Sequence, residues 1–152
     1  MAAVDSLRTL VLIKPDGVAR SKVGQIISRF EDKGLKVVAM KLMRLDRPRA
    51  ERHYAVHKGK PFYDSLLNYI TSSPLVAMVV EGNNSIEIVR KLVGATNGAK
   101  AEPGTIRGDY STGIDFNLIH ASDSEESANY EIPIFFEEKE ILSYERADKD
   151  WL

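Results

Sequence analysis

Short apolar runs alternate with amphipathic stretches along the chain, and together they set an order of elements. Thr9 to Ile13 is a β-rich apolar run ended by Lys14-Pro15-Asp16-Gly17, whose Pro-Asp-Gly triplet is turn chemistry. Val23, Ile26, Ile27 and Phe30 then recur at helical spacing, with Ser21 placed to cap the start and Gly34 to end the helix in a left-handed conformation. Leu35 to Leu45 reads as a second strand. Arg49 to Ile70, opened by Pro48, reads as two short helices split by Gly59-Lys60-Pro61. Leu75 to Val80 is continuously apolar between Pro74 and Gly82, which predicts a central strand buried on both faces.

Asn84 with Glu87 resembles a capping box, and Ile86, Ile88, Val89, Leu92 and Val93 supply the apolar face of another helix before Gly94. From Ala95 to Asp115 the periodicity is lost while glycines accumulate, and a loop of that length is usually functional or disordered; we take it as functional. Asn117 to His120 is a short strand. Ser122-x-x-Glu125 is a capping-box pattern for a helix running to about Ile132. The order βαβ, helices, βαβ, helix predicts an α+β, ferredoxin-like βαββαβ sandwich, with a mostly antiparallel four-stranded sheet covered by helices.

Composition narrows the function. At 152 residues and 43% hydrophobic, one domain spanning residues 1–152 is expected. Lys and Arg number 21 against 22 Asp and Glu, so there is no broad positive field for nonspecific nucleic-acid binding, and any phosphate must be held locally. The lack of cysteine excludes thiolate zinc sites and a cysteine nucleophile, and fits a reducing compartment, with cytoplasm the default. Met1 to Arg8 lacks a signal-peptide pattern and no apolar run is long enough to span a bilayer, so no membrane association is expected.

No Walker loop and no dinucleotide-binding glycine pattern occurs, so phosphates would need side chains. His53 and His57 stand four apart on a predicted helix, a spacing that could hold zinc but that more commonly marks exposed helix surface. His120 ends a strand, follows the glycine-rich loop and precedes a helix start rich in Ser122, Asp123 and Ser124. A neutral imidazole there could attack an electrophile through one nitrogen while the other donates to a carboxylate. A buried core histidine satisfies the same spacing, and a serine hydrolase using Ser122 lacks the nucleophile-elbow pattern.

Taken together, Lys14-Pro15-Asp16-Gly17-Val18, Thr105-Ile106-Arg107-Gly108-Asp109 and Asn117-Leu118-Ile119-His120-Ala121-Ser122-Asp123-Ser124 resemble the signature segments of nucleoside diphosphate kinases. His53-Tyr54, Pro61-Phe62, Val79-Val80-Glu81-Gly82, Gly94-Ala95-Thr96-Asn97 and Asp150-Trp151 extend the resemblance over essentially the whole chain. It implies ping-pong transfer of a terminal phosphate between nucleotides through a phosphorylated His120. Glu131 would orient the histidine and Ser122 would support Glu131. Lys14, Tyr54, Arg90, Thr96, Arg107 and Asn117 would hold phosphates and ribose, and Phe62 would stack on the base. Magnesium would arrive with the nucleotide, with Asp123 the nearest carboxylate. The resemblance also implies a homo-oligomer, expected to be a hexamer, with the Ala95–Asp115 loop contributing to subunit contacts. The sequence departs from the family pattern at Gly98, where proline is usual, at Ala121 in place of glycine and at Val80 in place of tryptophan. A non-catalytic relative retaining the fold is the alternative, against which His120, Lys14 and Glu131 stand together.

Overall fold

The computed structural model describes residues 6–152; the N-terminal reading, in so far as it concerns Met1 to Asp5, lies outside them. Four strands, β1 (Ser6–Ile13), β2 (Lys36–Met43), β3 (Leu75–Asn83) and β4 (Ile119–Ala121), form one sheet in the order β2-β3-β1-β4. All three ladders are antiparallel, with Leu10 opposite Val79 and Leu12 opposite His120. This is the expected ferredoxin-like arrangement, and the apolar run at Leu75–Val80 lies inside the sheet as its composition requires.

Strand periodicity divides the core. Leu10 and Leu12 of β1 with Leu75, Ala77 and Val79 of β3 face one side, and Val11, Ile13, Val76, Met78 and Val80 face the other. On the first side lie α3 (Arg47–His53), α4 (Tyr63–Ile70) and α7 (Glu125–Phe135), contributing Ala50, Leu67, Ile70, Ala128 and Phe135. On the second lie α2 (Val23–Lys33), α5 (Ser85–Val93) and α6 (Ile106–Tyr110), contributing Ile26, Phe30, Val89, Val93 and Ile106. Burial on both faces explains why β1 and β3 are apolar at consecutive positions rather than alternate ones. Among the described residues, no helix is long and apolar enough to cross a membrane.

Local signals differ from the sequence reading in several places. Pro15 begins a short helix, α1 (Pro15–Ala19), rather than a plain turn, because proline suits the first helical position where no N–H is needed. Ser21 has φ 59° and leaves the start of α2 without a side-chain cap, although Gly34 does end that helix with φ 98°. Asn84 is also left-handed and makes no cap bond, so the Asn84–Glu87 box does not form. The last helix is capped by Ser124, which accepts from Ser127 N, and not by Ser122. That helix runs past Ile132 and through Pro133 to Phe135, anchored by the buried Ile134 and Phe135. The glycine-rich segment is not structureless, since Thr105 caps α6 within it by accepting from Gly108 N. The short last strand begins at Ile119, two residues later than read.

Gly98 has a local reason of its own. Its N–H donates to Gly113 O at 2.9 Å, a bond that proline could not make. A Cβ at Gly98 would lie 2.4 Å from Ser111 Oγ and 2.5 Å from Ser111 O, so the loop closes on the missing side chain. Gly98→Ala is therefore expected to lower stability by about 1–3 kcal/mol, the usual cost of overpacking. Denaturant melts of the two proteins measure it, and equal midpoints would contradict the close packing.

Candidate active site

Beneath the carboxyl end of β1 the chain bends into α1, and the return segment before β4 passes beside it. Lys14 N donates to Leu118 O at 2.8 Å, and Leu118 N donates to Asp16 Oδ2 at 3.1 Å. Leu118 is thereby held at φ 66°, a strained conformation for a branched residue that persists only because both of its backbone groups are tied down. Asp16 is itself bonded to the Tyr69 hydroxyl. The clamp fixes Asn117 on one side of Leu118 and His120 on the other.

Asn117, 3% exposed, uses its amide twice: Oδ1 accepts from Lys14 Nζ at 2.9 Å and Nδ2 donates to Thr96 O at 3.0 Å. Arg107 on α6 is also buried. Its Nε, Nη1 and Nη2 donate to the carbonyls of Asn117, Gly94 and Ile119 at 3.3, 3.2 and 2.6 Å. A guanidinium has five N–H groups, so two remain for a ligand. Burial, followed by the charge of Arg90, lowers the Arg107 pKa to about 10. Arg90 on α5 is exposed and donates to Ala121 O at 3.3 Å.

His120 sits mid-strand in β4, with Ile119 and Ala121 turned into the second core. Its Nε2 lies 3.0 Å from Glu131 Oε1 on α7. The same carboxylate oxygen accepts from Ser122 Oγ at 2.6 Å. Ser122 is fully buried and its Oγ accepts in turn from Leu10 N at 3.2 Å, so the carboxylate is anchored to β1. A neutral imidazole that donates through Nε2 to Glu131 keeps its lone pair on Nδ1, and Nδ1 is then the nucleophilic atom.

These groups share a cleft of about 600 Å³ lined by Lys14, Tyr54, Phe62, Arg90, Thr96, Arg107, Asn117, His120, Asp123 and Glu131, together with His57, Leu66, Tyr69, Ile114 and Asp115. Every predicted site residue except Ser122 is on its wall, and Ser122 stands behind Glu131. Phe62 is 47% exposed at the mouth, edge-on to His57 with ring centroids 5.4 Å apart. Tyr54 is buried, and burial with the nearby Glu131 charge pushes its hydroxyl pKa up to about 12, so it is a hydrogen-bond donor and not a base. Asp123 accepts from Ser127 Oγ at 2.6 Å, the main reason its pKa lies below the usual aspartate value. Asp16, Tyr69 and His53 were not singled out for the site by sequence reading. The turn reading of Asp16 concealed its reach to Leu118, a partner 102 residues away. The favoured reading of His53 and His57 as exposed surface of one helix is corrected for His53: His57 belongs to a separate 3-10 turn (Ala55–His57), while His53 is buried and packs edge-on against His120 at 4.7 Å.

Comparison with known proteins identifies this assembly. The family model described as nucleoside diphosphate kinase matches residues 7–141. The chain belongs to the nucleoside diphosphate kinase family. A nucleoside diphosphate kinase of Thermoplasma volcanium is 60% identical over 142 residues, 93% of this chain and 97% of the relative. That of Pyrococcus furiosus is 56% identical over 147 residues, 95% of this chain and 91% of the relative. Among solved structures, a halophilic nucleoside diphosphate kinase from Halobacterium salinarum in complex with CDP gives a TM-score of 0.94 at 47% identity, covering 96% of this chain and 97% of that one. A Borrelia burgdorferi nucleoside-diphosphate kinase, a transition state mimic with bound vanadate and ADP, gives 0.90 at 43% identity, covering 95% of each chain. With membership of the nucleoside diphosphate kinase family goes its enzyme activity, transfer of a terminal phosphate between nucleotides through a phosphohistidine.

Lys14 has a measurable signature. Withdrawal from water, then the charge of Arg107, lowers its pKa to about 8, with Asp16 acting in the opposite sense. The folded chain thus binds this proton less tightly than the unfolded chain. The charged amine opposes folding fully below pH about 8, and the opposition fades between about 8 and the ordinary 10.5. If Lys14 holds phosphate, as the resemblance implies, the functional sign is reversed, because charge is lost as pH rises through about 8. We expect kcat/KM to fall above that pH and nucleotide binding to take up protons there. Lys14→Arg should lack the alkaline limb, whatever its residual rate, since arginine stays charged. A wild-type profile flat to pH about 9.5 would contradict the shifted lysine.

Proposed function

We propose that His120 is the phosphate carrier and that this cleft is the nucleotide site. In the first half-reaction Nδ1 attacks the terminal phosphorus of a nucleoside triphosphate. The N–P bond forms as the bond from that phosphorus to the bridging oxygen breaks, and the diphosphate leaves with the electron pair. The second half-reaction is the reverse with another diphosphate, which makes the kinetics ping-pong. The observation that carries this reading is the pairing of His120 Nε2 and Ser122 Oγ on one Glu131 oxygen, which fixes the ring and its tautomer beside a cluster of cations.

Phosphoryl transfer leaves little covalent work to the protein beyond the nucleophile, and charge on the peripheral oxygens must be met by fixed donors. Lys14, Arg90 and Arg107 are assigned that role, with Tyr54, Thr96 and Asn117 as further phosphate or ribose contacts. The CDP and ADP complexes of the relatives support a nucleotide in the corresponding cleft. Phe62, exposed at the mouth, is assigned to base stacking, which tolerates any base because each has a π-face. Magnesium would be carried in on the phosphates, where it neutralises their charge, with Asp123 as the protein carboxylate nearest to it. Its place on the cleft wall and its lowered pKa support that assignment.

The proposal extends to a single 152-residue domain acting in the cytoplasm as a hexamer. The exposed Met40 and Leu42 on the edge strand β2 offer apolar surface for assembly, and light scattering on the intact protein reports the subunit number. The mechanism is tested by incubation with γ-labelled ATP and magnesium, followed by a GDP chase. Acid-labile, alkali-stable label should appear on the wild type, move to GDP, and be absent from His120→Ala. Nucleotide binding without labelling would favour the non-catalytic reading.

A further inference from the structure

His53 is unexplained by the phosphate-transfer machinery. It is 5% exposed, and neither Nδ1 nor Nε2 has a hydrogen-bond partner. Leaving both nitrogens of an imidazole buried and unbonded costs free energy that a phenyl ring in the same place would not. The ring stands edge-on to His120, with centroids 4.7 Å apart, and edge-on to Phe135 at 5.3 Å. One potential ligand atom from each of His53, His120 and Glu131 lies within 4.8 Å of the others. A groove of about 430 Å³, lined by these three with Tyr54, His57 and Asp123 among others, opens beside them.

The geometry points to a second, inhibitory metal site: His53, His120 and Glu131 bind a zinc-class divalent cation that removes His120 from catalysis. Two imidazoles and one carboxylate suit zinc and its neighbours, and a groove side leaves a fourth position open. Magnesium, which prefers oxygen ligands, would not compete. Tetrahedral bonds of about 2.0 Å place ligand atoms roughly 3.3 Å apart. The set is somewhat open by that measure, and closing it sacrifices no hydrogen bond of His53, since that side chain makes none.

The inhibition rests on His120 being the nucleophile; the metal site does not. A cation on Nε2 takes the lone pair there, and the ring's single proton, which Nε2 had donated to Glu131, is relocated to Nδ1 by exchange with solvent. The metal-bound imidazole stays neutral and carries that proton on Nδ1, the atom that must attack. The ring is also no longer oriented by Glu131. Zinc and the phosphoryl group are therefore antagonists, and by linkage each lowers the other's occupancy.

Cobalt(II) titration of the nucleotide-free protein reads the site directly through the visible absorption of a four-coordinate ion, with zinc as displacing competitor. One cobalt per wild-type chain is expected, lost in His53→Gln and regained in His53→Cys, whose thiolate supplies a ligand. In parallel, zinc should suppress labelling by magnesium-ATP and a chelator should restore it, with the half-inhibiting concentration raised at least about tenfold in His53→Gln relative to that variant's own zinc-free rate. No cobalt band on a protein that takes label would overturn the site and leave the proposed function intact. A cobalt band on a protein that never takes label would sink the inhibition together with the phosphohistidine reading, while the site stood. Equal zinc inhibition of wild type and His53→Gln would also refute the proposal, because the effect would then lie elsewhere.

Discussion

One carboxylate oxygen, Oε1 of Glu131, meets both His120 Nε2 at 3.0 Å and Ser122 Oγ at 2.6 Å, and the two residues come from the last strand and the turn that follows it. Helix α7 and strand β4 are thereby joined at the atom that decides which imidazole nitrogen is free. The fold is arranged to hold that contact. Ala128, Ile132 and Phe135 bury α7 against β1, Leu10 N donates to Ser122 Oγ, and β4 is paired to β1 through Leu12 and His120. A shift of α7 would break the contact only by opening the core at Leu10 and Leu12. The position of the His120 ring is thus set by packing.

Positive charge is organised differently. Lys14, Arg90 and Arg107 come from three separate segments, and two of them are partly withdrawn from water at an energetic cost seen in their lowered pKa values. Backbone carbonyls of Gly94, Asn117 and Ile119 compensate Arg107, and the Asn117 amide compensates Lys14. An anionic ligand would relieve that cost, so the cleft suits phosphate before any contact to base or sugar. This is how a chain with net charge -1 and no glycine-rich phosphate loop assembles a local anion site.

Much of this was legible in the chain. Apolar runs located the strands, since β1 and β3 are buried on both faces and their composition leaves little alternative. Individual residues of the site were legible only through family resemblance, because spacing alone favours a core histidine at His120. What sequence could not reveal depends on long-range contacts. Ser21, Asn84 and Ser122 all carry cap chemistry, yet Ser21 and Asn84 adopt left-handed backbone and Ser122 is buried against Glu131. Asp16 read as a turn residue, but its work is to restrain Leu118, far away in sequence. Gly98 stands out in the sequence only as a departure from the family's proline, whereas in the structure the loop packs on the absent side chain. His53 read as helix surface, and its burial beside His120 follows from how α3 and α7 meet, which no periodicity records.

The most direct measurement of the central claim is the site of phosphate attachment on His120. Phosphoenzyme prepared with ¹⁵N-histidine and examined by ³¹P and ¹⁵N NMR distinguishes the two ring nitrogens. If Glu131 fixes the tautomer, the phosphorus is bonded to Nδ1 and Nε2 retains its proton. Phosphate on Nε2 would contradict that, for the nitrogen held by Glu131 would then be the one that attacks.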